Sequence, residues 1–460
     1  MSDIEIIVNR DYENYKTNYK LFCTMGCMVG YPVPYGIYPS NQEFIYIKKK
    51  RHNFYKRPKI QYCPDITIII PVYNSKDTLF QCIESIQNST YPNEHMKILL
   101  IDNKGSQEDF QVYAKAQEAF PNLNMHWMES KQGKSKALNM ALYNSEGKYI
   151  MNVDSDGFFD KNAIMNMIEK FEQDPEICCM TGAILTNSVE IEEKYKKFFP
   201  RMLRKLEFME YAQAFLAGRS YSAESNAIYT LSGAFSAFRK SSVLQSQMYN
   251  TDTICEDTQM TFQMKYLYHL KVDICEDAIF YVDPIEGINK LYTQRQRWQR
   301  GSLEVSKMFA DKFSISKMFT DVNVRTVLYD HTFAFPRIIW YIITFYFIII
   351  NYSRDILLFT TGLIYLLYIV IGYFYYFNAT CYLKNIEISN IYYKKNFHYV
   401  IILPLFNFLI FFFRFIGIIN SIGTDSSWKT NNFNDEFKNI KGVVKSDFTL
   451  WKRKKKGNKK

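Results

Sequence analysis

The 460-residue chain has no Cys-x-x-Cys pair, and its nine cysteines follow no regular spacing. Two of them, Cys178 and Cys179, are adjacent, and neighbouring cysteines seldom pair with each other. A disulfide scaffold is therefore excluded, and free thiols in a reducing compartment are expected. No secretory signal is expected either, because MSDIEIIVNRDYENYKTNYK at the start is polar and acidic. Nor is there a charge surplus to attract a polyanion. Lys+Arg minus Asp+Glu is 56 − 46 = +10. The last twenty residues, KGVVKSDFTLWKRKKKGNKK, hold nine Lys/Arg and one Asp, so they supply +8 of that charge. The rest is nearly balanced, which excludes a nucleic-acid-binding body. The basic end reads as a solvated, membrane-surface or disordered tail.

What the chain does have is aromatic and apolar bulk, 17% and 48% of its residues, much of it in the last third. FAFPRIIWYIITFYFIII (333–350), ILLFTTGLIYLLYIVIGYFYYF (356–377) and YVIILPLFNFLIFFFRFIGII (399–419) are each long enough to span a bilayer, which takes about 20 residues. Charge is almost absent from them. An earlier apolar segment, LFCTMGCMVGYPVPYGIY (21–38), carries two prolines and reads as interfacial or re-entrant. Topology poses a conflict. Lys384, Lys394 and Lys395 between the last two stretches, and the basic tail beyond them, all favour the cytoplasm. They cannot share a side if exactly one crossing separates them. Arg414 lies inside the third stretch. An intramembrane charge points to function, such as lining a glycan path, while one near a helix end snorkels to the surface; both readings stay open.

Before these stretches, the pattern is α/β. ITIIIPVY (66–73), KILLID (97–102) and KYIMNVD (148–154) are apolar β-rich runs that end in turn chemistry. Amphipathic segments lie around 76–88, 107–118 and 134–145. Buried strands alternating with helices predict a mostly parallel sheet, with ligands beyond the strand C-terminal ends. Asn74, Asp102 and Asp154 stand at those ends. Further on, CCMTGAIL (178–185), AIYTLSGAFSAFR (227–239) and VDICEDAIFYV (272–282) read as strands, and 190–217 as one long amphipathic helix.

Five blocks carry chemistry. In NVDSDG (152–157), Asp154 and Asp156 flank one small residue after a strand; the turn lets both carboxylates reach one Mg²⁺ or Mn²⁺ shared with a diphosphate. The plainer alternative is an Asp-rich turn. In KQGKSKALNMAL (131–142), Gly133-Lys134 opens a helix suited to an anion, or simply caps it. In TICEDTQMTFQM (253–264), Glu256 and Asp257 sit at a helix start, where a carboxylate can take a proton from a hydroxyl or serve only as a cap. Gly233 in LSGAFSAFRK (231–240) allows close approach of a ligand to the backbone, or forms a tight turn. In TQRQRWQRG (293–301), Arg295, Arg297 and Arg300 suit phosphates, Gln294 a hydrogen bond, and Trp298 the flat face of a sugar; an amphipathic helix on the membrane surface is the other reading.

The order of these blocks is more informative than any one of them. PVYNS, an acidic residue after the second strand, a Gly-Lys-opened helix, D-x-D, a Ser-Gly-Ala turn, Glu-Asp, then Q-R-x-R-W and apolar helices resemble a membrane-bound family 2 glycosyltransferase. The likeness covers about residues 60–310. It is to the branch that includes cellulose, hyaluronan, chitin and poly-N-acetylglucosamine synthases. The resemblance implies a GT-A-type nucleotide-sugar domain facing the cytosol on a multi-pass cell-membrane protein. It places Asn74, Asp102 and Lys134 at the nucleotide, and Asp154 and Asp156 at the metal and diphosphate. Asp257 becomes the general base, with Glu256 beside it. Gly233, Gln294, Arg297 and Trp298 fall at the acceptor and diphosphate. The implied reaction is an inverting single displacement, consistent with the absence of an obvious Ser-His or Cys-His nucleophile.

Two departures are visible. The second strand ends Asp102-Asn103-Lys104-Gly105-Ser106 rather than in a double acidic motif. N-terminal spanning helices reduce to the Pro-interrupted 21–38 segment, so a polymer channel would need other chains or an accompanying membrane subunit. The expected division is an N-terminal segment (1–60), a GT-A domain (61–290), an interfacial helix region (291–330), a transmembrane region (331–422) and a basic tail (423–460). The expected donor is UDP-N-acetylglucosamine or UDP-glucose, and the expected product a β-linked polysaccharide made at the lipid membrane. The alternatives are transfer of one sugar to a lipid-linked acceptor, and a catalytically silent membrane scaffold.

Overall fold

A computed structural model describes residues 60, 62–224, 226–313, 316, 321, 323–324, 327, 334–384 and 386–423. The 21–38 segment and the basic tail lie outside the described residues. The strands are β1 (Ile66–Val72), β2 (Met96–Asp102), β3 (Asn124–Glu129), β4 (Tyr149–Val153), β5 (Gly157–Phe159), β6 (Ile177–Thr186), β7 (Phe235–Arg239) and β8 (Lys271–Val282). The helices in the first part are α1 (Leu79–Gln87), α2 (Gln107–Ala119), α3 (Lys134–Tyr143), α4 (Ala163–Gln173), α5 (Ser188–Lys194), α6 (Phe198–Tyr211), α7 (Arg219–Glu224), α8 (Lys240–Gln245) and α9 (Glu256–Phe262). They are followed by α10 (Ile288–Met308), α11 (Ala334–Ile349), α12 (Arg354–Leu383), α13 (Glu387–Lys395) and α14 (Leu403–Gly423).

All eight strands form one sheet in the order β3-β2-β1-β4-β7-β6-β8-β5. The β3, β2, β1 and β4 strands run parallel, as do β6 and β8; β7 runs antiparallel to both of its neighbours, and β5 antiparallel to β8. This is the expected α/β domain with a mostly parallel sheet. Every residue of β1 and β4 is buried, so both strands need apolar side chains on both faces. Val72 pairs with Asp102, which sets the ends of β1 and β2 side by side. Antiparallel pairing of Val153 with Phe235 then brings the turn before β7 to the end of β4.

Two sequence readings change. The 227–239 strand shrinks to 235–239. Residues 231–233 give their N–H groups to side chains instead of a ladder: Leu231 to Thr261 Oγ1 (2.8 Å), Ser232 to Thr181 Oγ1 (3.1 Å) and Gly233 to Asp257 Oδ2 (3.2 Å). The 190–217 helix breaks between α5 and α6. Pro200, which has no N–H to donate, sits in the first turn of α6, where that loss costs nothing. Beyond Tyr211 the helix widens to a π turn over Ala212–Gly218 and continues as α7.

The apolar third is helical as expected. By length and apolarity, two helices qualify as candidate membrane spans, Arg354–Leu383 and Leu403–Ser421; Ala334–Ile349 is shorter.

Candidate active site

Each side chain of the candidate site is placed by an element end. After β1, Asn74 takes a left-handed backbone (φ 51°), a conformation Asn tolerates better than most residues. Asp109 anchors this loop. Its Oδ1 accepts from Ser75 N at 2.8 Å and its Oδ2 from Ser106 N at 3.2 Å, the second bond belonging to a capping box that starts α2. Asp102 Oδ1 accepts from Gly105 N at 2.7 Å, curling the loop beyond β2. Ser155, between the paired aspartates, shares a 2.6 Å hydrogen bond with Ser75, so the loops after β1 and β4 are tied together.

The charged centre is compact. Lys134, the first residue of α3, lies 2.5 Å from Asp154 Oδ1 and 3.5 Å from Glu256 Oε1. Burial works against the lysine charge, but Asp154, Glu256 and Asp257 outweigh it and hold the ammonium above its ordinary range. Asp154 N donates to Ala234 O at 3.0 Å, next to Gly233, whose own N–H meets Asp257. A Cβ on Gly233 would stand 3.3 Å from Asp257 Oδ2 and 3.4 Å from Lys134 Nζ, so only hydrogen fits here without displacing a neighbour. The second oxygen of Asp257, Oδ1, accepts from Thr258 N at 2.7 Å. Thus Lys134, Asp154, Gly233, Glu256 and Asp257, drawn from four segments, converge at one point.

Glu256 is buried, which raises its carboxyl above the ordinary range; Lys134 opposes the shift and Asp257 adds to it. Asp156, on the cleft lip, is pushed up to about 6, first by desolvation and then by the charge of Asp154, against Lys134 and Arg297. Two adjacent carboxylates that resist joint ionisation suit a divalent cation, which replaces the missing positive charge. Among the described residues no group of three or more His, Cys, Asp or Glu could hold a metal.

Opposite stands α10, which carries TQRQRWQRG. Gln294, Arg297 and Trp298 share one helical face and are half-buried. Arg297 is close enough to Asp156 to lower its pKa. Trp298 meets Phe215 edge-on at 5.8 Å and has the Arg295 guanidinium 4.4 Å from its ring centroid. Gln294 hydrogen-bonds the Tyr211 side chain, and its Oε1 is buried with no partner among the described residues. Arg295 differs from the phosphate reading: it is 3% exposed and forms a 2.6 Å ion pair with Glu210, which fastens α10 to α6. Arg300 is buried as well. Gly301 seats the other end. A Cβ there would collide with Cys255 Sγ, so the glycine lets α10 press against the start of α9.

Sequence reasoning missed Arg219, at the start of α7. Burial pushes its guanidinium down to about 10, and Asp257 and Tyr211 work the other way. A lone arginine after the apolar run AQAFLAG was the available signal.

The mostly parallel sheet with its interleaved helices forms an α/β domain of GT-A type. Residues 67–267 match the Glycosyl transferase family 2 model. This domain is a family 2 glycosyltransferase domain, and the chain is a glycosyltransferase. It is 27% identical over 291 residues to the poly-β-1,6-N-acetyl-D-glucosamine synthase of Staphylococcus aureus (strain MSSA476), a match covering 62% of this chain and 67% of that one. The Staphylococcus epidermidis synthase of the same name is 26% identical over 279 residues, covering 60% and 64%. Among solved structures, the mannosyltransferase PcManGT from Pyrobaculum calidifontis, in complex with GDP-Man and Mn²⁺, superposes with a TM-score of 0.54 at 15% identity. The match spans 82% of this chain and 98% of that one, a likeness of fold.

Proposed function

We propose that the chain is an inverting, membrane-anchored transferase. It moves a sugar from UDP-N-acetylglucosamine or UDP-glucose onto a growing β-linked polysaccharide. The observation that carries this reading is the convergence of Lys134, Asp154, Gly233, Glu256 and Asp257, with Arg297 of α10 near Asp156. The relatedness to two poly-N-acetylglucosamine synthases supports the donor and product class.

In this reading Asn74 and Asp102 hold the nucleoside at the ends of β1 and β2. Lys134 and Arg297 face the diphosphate. Asp154 and Asp156 would hold a Mg²⁺ or Mn²⁺ whose charge offsets that of the leaving diphosphate. The acceptor hydroxyl attacks the anomeric carbon from the side opposite the diphosphate. As the new C–O bond forms and the old one breaks, Asp257 takes the hydroxyl proton. Thr258 N–H and Gly233 N–H fix the carboxylate of Asp257, so it enters the reaction already oriented. Glu256 and Lys134 set the charge around it. Gln294 and Trp298 hold the acceptor sugar. The division into a GT-A domain (61–290), an interfacial region (291–330) and a membrane region (331–422) belongs to the same proposal, with the catalytic domain on the cytoplasmic face.

The test is nucleotide release by detergent-solubilised protein given a panel of UDP- and GDP-sugars with Mg²⁺ or Mn²⁺, with product length read on a gel. A UDP-sugar turned over into a ladder of long product is the expected result. Addition of a single sugar to a lipid carrier would replace the synthase reading. Turnover of a GDP-sugar alone would overturn the donor assignment.

A further inference from the structure

We propose that, among the described residues, the α11–α12 hairpin is what crosses the bilayer, and that α14 lies along the transferase domain without crossing. This rests on the membrane reading above. Like α12, α14 is long and apolar enough to span, but its surroundings differ. The most apolar stretch of α12 is 6% buried, against 39% for α14.

Leu403, Phe406, Ile410 and Phe413 recur at helical spacing along α14 and are all buried. They belong to one cluster with Leu206 and Phe208 of α6 and Leu291 and Tyr292 of α10. The stripe continues in polar contacts: Arg414 Nε donates to Gln299 Oε1 at 2.6 Å, and Asn420 Nδ2 to Gln296 Oε1 at 3.2 Å. A Cβ on Gly417 would sit 3.2 Å from the Cα of Gln296, so the two helix backbones nearly touch. Just before α14, Tyr399 has Lys205 of α6 5.7 Å from its ring centroid. Both ends of α14 are therefore held by α6 and α10, while Phe411 and Ile418 pack against Ala334 at the start of α11. Arg414 faces α10 and needs neither a glycan path nor snorkelling.

The hairpin is the opposite case. In α11 only Ala334 and Arg337 are buried, both near its start. Burial in α12 begins at Gly372. Between those points Ile342, Phe345, Ile349, Phe359, Leu363 and Val370 are exposed; outside the turn no charged side chain interrupts the apolar surface, and the exposed Thr360 and Thr361 hydroxyls are satisfied by Ile356 O and Leu357 O, both at 2.8 Å. That turn holds Asn351, Ser353 and the Arg354–Asp355 pair. At 1.5 Å per residue, α11 is about 24 Å long and residues 354–371 about 27 Å, close to the ~30 Å hydrocarbon core. The polar turn thus reaches the far headgroups. On this topology Lys394, Lys395 and the chain beyond Gly423 stay on the domain side with no crossing between them, and the conflict over the two basic segments disappears.

The test uses the full chain in sealed inverted vesicles. Tyr352→Cys, Lys395→Cys and Lys456→Cys are each labelled with a membrane-impermeant maleimide, and the labelling of the unsubstituted chain is subtracted. Lys395→Cys and Lys456→Cys should react in intact vesicles, and Tyr352→Cys only after permeabilisation. Retention in the membrane with positions 395 and 456 on opposite faces would overturn this inference alone, and so would a reactive position 352 in intact vesicles. Release of the protein by alkaline carbonate would overturn the membrane reading and this inference with it.

Discussion

The strand-end wall of the cleft and the helix wall facing it reach comparable precision by different routes. On the first, Asn74, Asp102 and Asp154 follow directly from β1, β2 and β4. Their spacing is set by the strand register, and their loops are stitched together by Asp109 and the Ser75–Ser155 bond. On the second, α9 and α10 have no ladder between them. Their separation is set by side-chain volume: Gly301 against Cys255, and the Arg295–Glu210 pair against α6. A wall built on backbone pairing resists point substitution in its scaffold. A wall built on packing passes a misfit on to the residues it carries.

The largest expected effect lies where the walls meet. Asp257→Asn keeps the size of the side chain and, with its one oxygen turned to Gly233 N, one of the two backbone bonds, while removing the proposed base. Turnover should fall about 10²- to 10⁴-fold. Nucleotide affinity, read by calorimetry, should stay within about twofold, since the proton is lost only during reaction. Unchanged turnover would remove Asp257 from the mechanism.

Next comes a direct challenge to the helix wall. Alanine is the better helix former by about 1 kcal/mol, so Gly301→Ala would stabilise a free-standing α10. Here the new Cβ meets Cys255, and overpacking of this kind costs about 1–3 kcal/mol. We expect a lower Tm and reduced turnover, partly restored in the double variant with Cys255→Ala, a non-additivity measured by a double-mutant cycle. A neutral or stabilised single variant would show that the two helices are not wedged.

This contrast also explains what could be read from the sequence. The β1, β2 and β4 strands were legible as uninterrupted apolar runs, and the candidate site residues at their ends came with them. Glu256-Asp257 was legible as a helix start. The meeting of Asp257 with Gly233 and Lys134 was not, because it depends on β7 inserting antiparallel beside β4. Residues 227–234 look like a strand because they are apolar and β-branched, yet the N–H groups of Leu231, Ser232 and Gly233 go to the side chains of Thr261, Thr181 and Asp257. The arginines of α10 could not be sorted by residue type. Arg295 is a structural tie and Arg297 faces Asp156, although two positions separate them. Arg219 offered no motif at all. Its nearness to Asp257 comes only from the folding of α7.

A pH titration probes the strand wall alone. In the free protein the Asp156 carboxyl is raised to about 6, so it gains a proton as pH falls through that value. A protonated carboxyl is a poor cation ligand, and Mn²⁺ must then expel the proton. Affinity for Mn²⁺ in the presence of UDP should level off above pH 7 and fall about tenfold per unit below pH 6. Asp156→Asn should flatten that slope. A slope that survives the substitution would assign the proton elsewhere.

The smallest effect expected is also the most selective. Trp298 belongs to the helix wall, where it is half-buried between Phe215 and Arg295, so Trp298→Ala removes an aromatic face without unpinning α10, which Arg295 and Gly301 still hold. Aromatic contacts of this kind contribute about 0.5–1.5 kcal/mol, or roughly two- to twelvefold in affinity. That loss should fall on the acceptor. The KM for acceptor rises and product shortens, because a weakly held chain end leaves between additions, while the KM for the nucleotide-sugar stays level. Uniform weakening of both substrates would mean that Trp298 supports the cleft as a whole. Loss of nucleotide affinity with full-length product would place the tryptophan on the donor side and erase the division between the two walls.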